Sequence, residues 1–312
     1  MKVIDQTVTD NYALYHADCI DVASALPNNS IDFSIYSPPF SSLFIFSDSN
    51  RDMGNVTSDD QFYDHYSFLM EQMYRITKPG RLMSFHCMNL TTSKQNDGYI
   101  GLKDFRGDLI RLAQKVGFIY HSEVTIFKCP VVAMQRTKAL GLLHKQVKKD
   151  SAMSRQGLAD YLVTMRKPGV NVEPIAGKID HFAGEQGYGL STEVIEDPTE
   201  RDSINIWQRY ASPCWMDINQ SRTLQKTSAR ADEDERHIAP LQLDVIERAL
   251  QLWSNPNDLI FDPFNGIGSS GVIALEMGRR YVGSELKKSY YDQAKLNLEI
   301  AASKKNQLSL FD

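Results

Sequence analysis

FDPFNGIGSSG, residues 261–271, sets Gly266, Gly268 and Gly271 in a G-x-G-x-x-G spacing. DLIFDPF (258–264) reads as a short buried strand and SSGVIALEMG (269–278) as a helix, so the glycines fall on a strand-to-helix turn. Glycines in that context let the backbone approach a ligand. Glu285 closes the next strand, RRYVGSEL, nineteen residues after Gly266, where an acid can accept from ribose hydroxyls. A nucleoside-containing cofactor is expected. The spacing alone fits a nicotinamide dinucleotide as well as any other adenosine-bearing group.

Position in the chain narrows this. Only 41 residues follow Gly271, room for one more strand and its helices but not for the rest of a nucleotide-binding sheet. The N-terminal part must therefore complete the sheet. There, YALYHAD (12–18) and IDFSIYS (31–37) read as strands, with a helical turn around Ile20 to Ala25. SDDQFYDHYSFLMEQMYRITKPG (58–80) opens with a capping box, Ser58 and Gln61, carries an apolar helical stripe and is expected to stop at Pro79-Gly80. RLMSFHCM (81–88) and IYHSEVTIFKC (119–129) read as strands around an amphipathic helix over 102–118. From Val131 to Arg236 the periodicity dissolves into Gly, Pro, basic and aromatic residues, and it resumes with helices over 239–253 and 288–303. One α/β sheet domain interrupted by a second module is the expectation, divided into 1–130, 131–236 and 237–312.

The opposite strand end is IDFSIYSPPF (31–40). Pro38 and Pro39 lack N–H groups and fix their own φ, so the chain leaves the sheet there in a rigid path that holds Ser37 and Phe40 at the strand end. In open α/β sheets ligands sit beyond the C-terminal ends of strands, where the strand order reverses, so both loops should face one crevice.

Composition sets outer bounds. The 312 residues are 42% apolar and 23% charged, the balance of a soluble globular chain, and neither an apolar leader nor a run of about eighteen apolar residues occurs. A cytoplasmic protein is expected. Cys19, Cys87, Cys129 and Cys214 are scattered, and the seven histidines show no ligand spacing; reduced thiols, no metal site, and histidines that are mostly surface or packing residues follow. The formal charge of −5 hides an uneven distribution: Met134 to Phe182 holds nine Lys/Arg against four acids, and Ala183 to Asp202 six acids against one arginine. The first stretch is a candidate phosphate-binding face.

SPPF followed far downstream by FDPFNGIGSS resembles the amino-methylating DNA methyltransferases in the circular order called the β class. HADCIDVASALPNNSIDFSIYSPPF (16–40) is similar to the family's N-terminal block, RITKPGRLMSFH (75–86) and VGFIYHSEVTIFKCP (116–130) to the next two, and RHIAPLQLDVIERAL (236–250) to the block before the glycine loop, with Ile238 and Gln242 where many members have proline. The resemblance implies a Rossmann-like sheet that binds S-adenosylmethionine, with an inserted target recognition domain at 131–236. It implies that Asp18 contacts the cofactor's adenine, that His237 and Pro240 line its methionine end, and that Asp262, Phe264, Gly266, Gly268, Ser269 and Glu285 hold its remaining parts. Ser37, Pro38, Pro39 and Phe40 would hold and stack a flipped base of double-stranded DNA, and Lys145, Lys148, Lys149 and Arg155 would meet the DNA. Tetrads that begin with serine mostly mark cytosine-N4 enzymes, whereas SPPFSSLFIFSDSNRDMGN (37–55) is similar to solitary phage and prophage enzymes, for which adenine N6 is expected at least as often. A homodimer is expected from the family and from the aromatic stretches SSLFIFS (41–47) and DQFYDHYSFLMEQMY (60–74). A nicotinamide oxidoreductase is disfavoured by the Asp262-Pro263-Phe264 lead-in, the chain order and the lack of a proton-relay histidine. An RNA or protein methyltransferase stands as the closer alternative, the basic insert favouring nucleic acid over protein.

Overall fold

The computed structural model describes residues 2–40, 53–54, 58–137, 139–224 and 241–308. The chain starts with an antiparallel pair, β1 (Val3–Val8) and β2 (Tyr12–Ala17), followed by α1 (Cys19–Ala25) and β3 (Ile31–Tyr36). Next come α2 (Asp59–Ile76), β4 (Thr77–Cys87), the small pair β5 (Leu90–Thr91) and β6 (Leu102–Lys103) enclosing α3 (Lys94–Asp97), then α4 (Phe105–Lys115) and β7 (Ile119–Ile126). Beyond lie α5 (Pro130–Thr137), α6 (His144–Lys149), β8 (Asp160–Arg166), α7 (Glu200–Tyr210) and β9 (Cys214–Trp215). The C-terminal part alternates α8 (Leu243–Trp253), β10 (Leu259–Asp262), α9 (Ser269–Glu276), β11 (Arg280–Glu285) and α10 (Lys288–Leu308).

Nine strands form one sheet in the order β1-β2-β11-β10-β3-β4-β8-β7-β9. The five from β2 to β4 are mutually parallel. Every residue of β3 is buried, as expected for a parallel strand covered on both faces. β10 pairs with β3 on one side and β11 on the other, and β11 pairs with β2, so β10 and β11 fill the gap between β2 and β3. From β10 the chain runs outward through β11 towards β2, whereas from β3 it runs the other way through β4. The strand order therefore reverses between β10 and β3.

The structure departs from the sequence reading in four places. Pro79-Gly80 does not stop α2: Thr77 ends the helix, its Oγ1 donating to Met73 O at 2.6 Å, and β4 already runs from Thr77 through the proline. Gly80, at φ +77°, carries the irregularity that this creates, and a Cβ there would collide with the backbone of Val170 and Asn171. β1 is an edge strand to which the sequence reading assigns no element; Val3, Ile4, Thr7 and Val8 are β-formers, but the strand is mostly exposed and shows no apolar alternation. β8, inside the supposed insert, is a central strand, antiparallel to β4 and β7. The 131–236 segment is thus not one module outside the sheet: 160–166 belong to the sheet, and the irregular parts lie on either side. Finally, α2 spends its aromatic residues in its own core: Phe62, Tyr66, Leu69, Met70 and Met73 are fully buried, and Tyr63 donates to Asp108 at 2.8 Å. Phe68 is the large apolar residue that α2 leaves exposed. That removes one premise of the dimer; the other, residues 41–47, lies outside the described residues.

At the sheet end opposite the glycine loop, Asp32 accepts from Lys78 Nζ at 2.5 Å and from Leu259 N at 2.8 Å, while Arg81 pairs with Asp258 and donates to Glu173 O at 2.9 Å. Asp32, Glu173 and Asp258 stand close enough for a metal ion, but their neighbours Lys78 and Arg81 already supply the positive charge. The part of the insert that follows β8 is tied to α8 through ion pairs from Arg222 to Asp244 and Glu247, from Arg248 to Asp217, and from His181 to Glu247. Among the described residues no helix is long and apolar enough to cross a membrane.

Candidate active site

On the β10 side, the loop from Asp262 to Gly268 is tied down by its own side chains. Asp262, at the strand end, accepts from Phe264 N at 2.8 Å and shares a short hydrogen bond with Ser270. Its carboxyl is buried, and burial pushes it from 3.8 up to about 7, against those two hydrogen bonds. Asn265 donates to Gly266 O at 2.9 Å and accepts from Tyr281 Oη at 2.8 Å. Glu285 reaches back from β11 to accept from Gly266 N at 2.8 Å and from Lys287 N at 2.8 Å.

The three glycines answer to three different demands. Gly266, at φ +53°, faces open space, since a Cβ built there meets nothing within 4 Å. Gly268, at φ +91°, is the N-cap of α9, and its Cβ would touch Ala294 of α10 at an ordinary 3.5 Å. Gly271 lets α9 pack against its neighbours: a Cβ would lie 2.6 Å from both Leu298 Cδ2 and Tyr281 Cε1.

On the β3 side, Ser37 and Phe40 are half-buried and Pro38 is buried. The Phe40 ring meets Phe105 edge-on at 6.1 Å between centroids. Ser37 Oγ lies 2.8 Å from His86 Nδ1 at the end of β4. Nε2 of the same ring lies 3.0 Å from Asp160 Oδ2 at the start of β8, and Lys128 Nζ lies 2.5 Å from that oxygen. Because β8 runs antiparallel, its first residue arrives at the edge where β3 and β4 end. Phe264, from the glycine loop, stacks obliquely on Tyr36 at 5.8 Å, so the two loops touch through their roots.

A family model described as DNA methylase, of the N6/N4 type, matches residues 31–296, a span that takes in both loops and the sheet between them. The chain belongs to the N6/N4 DNA methylases. It is 24% identical over 276 residues to the orphan methyltransferase M.BamHII of Bacillus amyloliquefaciens, covering 86% of this chain and 89% of that protein. It is 41% identical over 58 residues to the type II methyltransferase M1.MboII of Moraxella bovis, a local match of 19% of this chain and 22% of that protein. Among solved structures it is similar to a DNA modification methylase of Thermus thermophilus in complex with S-adenosyl-L-methionine, with a TM-score of 0.63, 18% identity and 93% of each chain covered. The family uses S-adenosylmethionine as methyl donor.

The residues of this DNA methylase suit such a cofactor on one side and depart from expectation on another. The bare Gly266 turn and the Glu285 carboxylate beside it form a cradle that a side chain would fill. Asp262 does not line it: the residue is 4% exposed and its carboxyl is turned into the loop, so it shapes the turn. Ser269 opens α9 and is buried. Asp18 stands at the end of β2 as the N-cap of α1, accepting from Ile20 N at 2.8 Å. Lys145, Lys148 and Lys149 are exposed on α6, and Arg155 donates to Gln156 O at 3.1 Å. His237 and Pro240 lie outside the described residues. His86, Asp160, Lys128 and Asn265 went unmarked in the sequence. The histidines read from sequence as mostly surface or packing residues, and only the strand register puts His86 against Ser37.

Proposed function

We propose that this DNA methylase transfers a methyl group to the exocyclic amine of a base flipped out of double-stranded DNA. The observation that carries this is the pairing of β3 with β10 at the point of strand reversal, which sets the Ser37-Pro38-Pro39-Phe40 turn and the glycine loop at one sheet edge. An exocyclic amine is a poor nucleophile while its lone pair is delocalised into the ring. Acceptors that hold its hydrogens and let the nitrogen bend towards tetrahedral geometry restore that lone pair, and rigid acceptors do so without reorganising. The Ser37 hydroxyl and the Pro38 carbonyl fill this role, fixed by the two prolines, and Phe40 offers its free face to the base. The target atom is out of reach inside a duplex, so the nucleotide has to leave the stack. Glu285, Gly266 and Gly268 hold the cofactor, with Asp18, His237 and Pro240 assigned to it by resemblance. When bound, S-adenosylmethionine supplies a methyl group on a sulfonium, an electrophile that needs no metal.

Adenine N6 is the base assigned here. Cytosine N4 is the second reading, favoured by serine at the head of the tetrad. The irregular parts of 131–236, with Lys145, Lys148, Lys149 and Arg155, are assigned to DNA recognition on the strength of their basic charge and exposure. Pairing into a homodimer now rests on family resemblance. Sequencing DNA from cells that express the protein, with detection of modified bases, tests base and site together: N6-methyladenine at one recurrent sequence is the expected result, N4-methylcytosine would select the second reading, and unmodified DNA would refute both.

A further inference from the structure

The hydroxyl of Ser37 is not free to turn. A carboxylate can only accept, so Asp160 Oδ2, 3.0 Å from His86 Nε2, places the ring proton on that nitrogen. Nδ1 is left as an acceptor, and the proton in its 2.8 Å contact with Ser37 Oγ is then the hydroxyl's own. Lys128 on the same carboxylate oxygen already balances its charge, so nothing in the pair calls for a second cation on the imidazole. With its proton committed to His86, Ser37 shows the crevice only lone pairs.

We propose that His86, Asp160 and Lys128 are positioning residues that fix Ser37 as a hydrogen-bond acceptor, so that the site takes an amino group and refuses a carbonyl oxygen in its place. This rests on the reading of Ser37 as the residue that faces the target amine. Adenine and cytosine carry an exocyclic amine on the pairing edge where thymine and guanine carry a carbonyl oxygen, so one oriented hydroxyl separates the bases that can react from those that cannot. Burial argues that the arrangement is more than packing. His86 is 8% exposed and Asp160 1%, and Asp160 Oδ1 has no hydrogen-bond partner among the described residues. Packing alone would be served as well or better by apolar residues of the same size, because burying charges costs more than a single pair usually returns.

The test compares His86→Asn with His86→Phe in transfer of tritiated methyl from S-adenosylmethionine to genomic DNA from cells lacking the protein. Both variants lose the contact with Asp160, so that loss cancels between them, but the asparagine amide oxygen takes the place of Nδ1 and phenylalanine offers no acceptor. H86F should fall about 10- to 100-fold in kcat, the usual cost of losing a group that fixes a neighbour's orientation, and H86N should keep about tenfold more of the rate. Calorimetric titration with S-adenosylmethionine should give the same affinity for both and for the wild type. Asp160→Asn, which offers Nε2 a donor and so permits the opposite tautomer, should lose rate like H86F. Equal kcat for H86N and H86F, with Ser37→Ala inactive, would overturn the proposal and leave the tetrad reading intact. A fully active S37A would remove the tetrad reading and this proposal with it.

Discussion

Asp262→Asn should change how stability depends on pH, and by an amount that the structure sets. The native carboxyl keeps its proton up to about pH 7, whereas the unfolded chain releases it near 3.8. Between those values the native state binds more protons than the unfolded state, so this group's contribution is whole below pH 3.8 and is lost as the pH rises through 7. A difference of about three units at about 1.4 kcal/mol each amounts to about 4 kcal/mol, a large share of the stability of any domain. Asparagine mimics the protonated form: its Oδ1 still accepts from Phe264 N, and its Nδ2 can donate to Ser270 Oγ, whose hydroxyl has Tyr281 Oη at 3.1 Å. The variant should therefore lack the penalty that the wild type acquires. In urea unfolding without cofactor, the advantage of D262N over the wild type should widen by about 3 kcal/mol from pH 5 to pH 8, with every other titrating group cancelling in the comparison. An advantage that stays constant across that range would mean that Asp262 is charged in the native loop, and the buried, neutral carboxyl would be wrong.

Gly271→Ala should lose about 1–3 kcal/mol, because the new methyl group meets Leu298 and Tyr281 at 2.6 Å; thermal unfolding with an unchanged midpoint would show that α9 can shift to admit it. Gly266→Ala should weaken S-adenosylmethionine binding more than Gly268→Ala does, since the first Cβ enters open space and the second turns to Ala294; the reverse order in calorimetry would move the cofactor off the Gly266 turn. Phe40→Ala should abolish most methyl transfer while cofactor affinity stays put, and an equal fall in both would count against a base-stacking role. Replacing Lys145, Lys148 and Lys149 together by glutamine should flatten the salt dependence of duplex binding by about 0.9 in log–log slope for each lysine that meets a phosphate, and an unchanged slope would place the DNA track elsewhere.

Most of the sheet was legible in the sequence because its strands announce themselves locally, and the meeting of the two loops in one crevice followed from placing each at the C-terminal end of a parallel strand. What stayed hidden depends on partners far away. β8 has both of its neighbours in other parts of the chain and is largely buried on both faces, so it shows no alternation to read. His86 meets Ser37 across 49 residues and Asp160 across 74, contacts that exist only once β3, β4 and β8 are in register. Local signals also misled: Pro79-Gly80 has the composition of a helix stop, yet the Thr77 side chain had already closed the helix. Asp262 sits in the right motif for a cofactor ligand, but an acid flanked by Phe264 N and Ser270 Oγ finds its partners inside the turn.

The place of β10 and β11 between β2 and β3 has a consequence for how the protein is made. A ribosome finishes β3 at Tyr36 and does not begin β10 until Leu259, an interval on the order of ten to forty seconds at common rates of synthesis. Throughout it, the facing edges of β2 and β3 have no strand to bond, and unpaired edges of apolar strands are the surfaces by which nascent chains stick to one another. A nascent chain halted between β4 and β10 would already carry the tetrad and its histidine, yet would lack the middle of its sheet and the glycine loop. Interrupted synthesis should therefore yield chaperone clients rather than half-enzymes, and the methylase can become active on DNA only after β10 and β11 have been made.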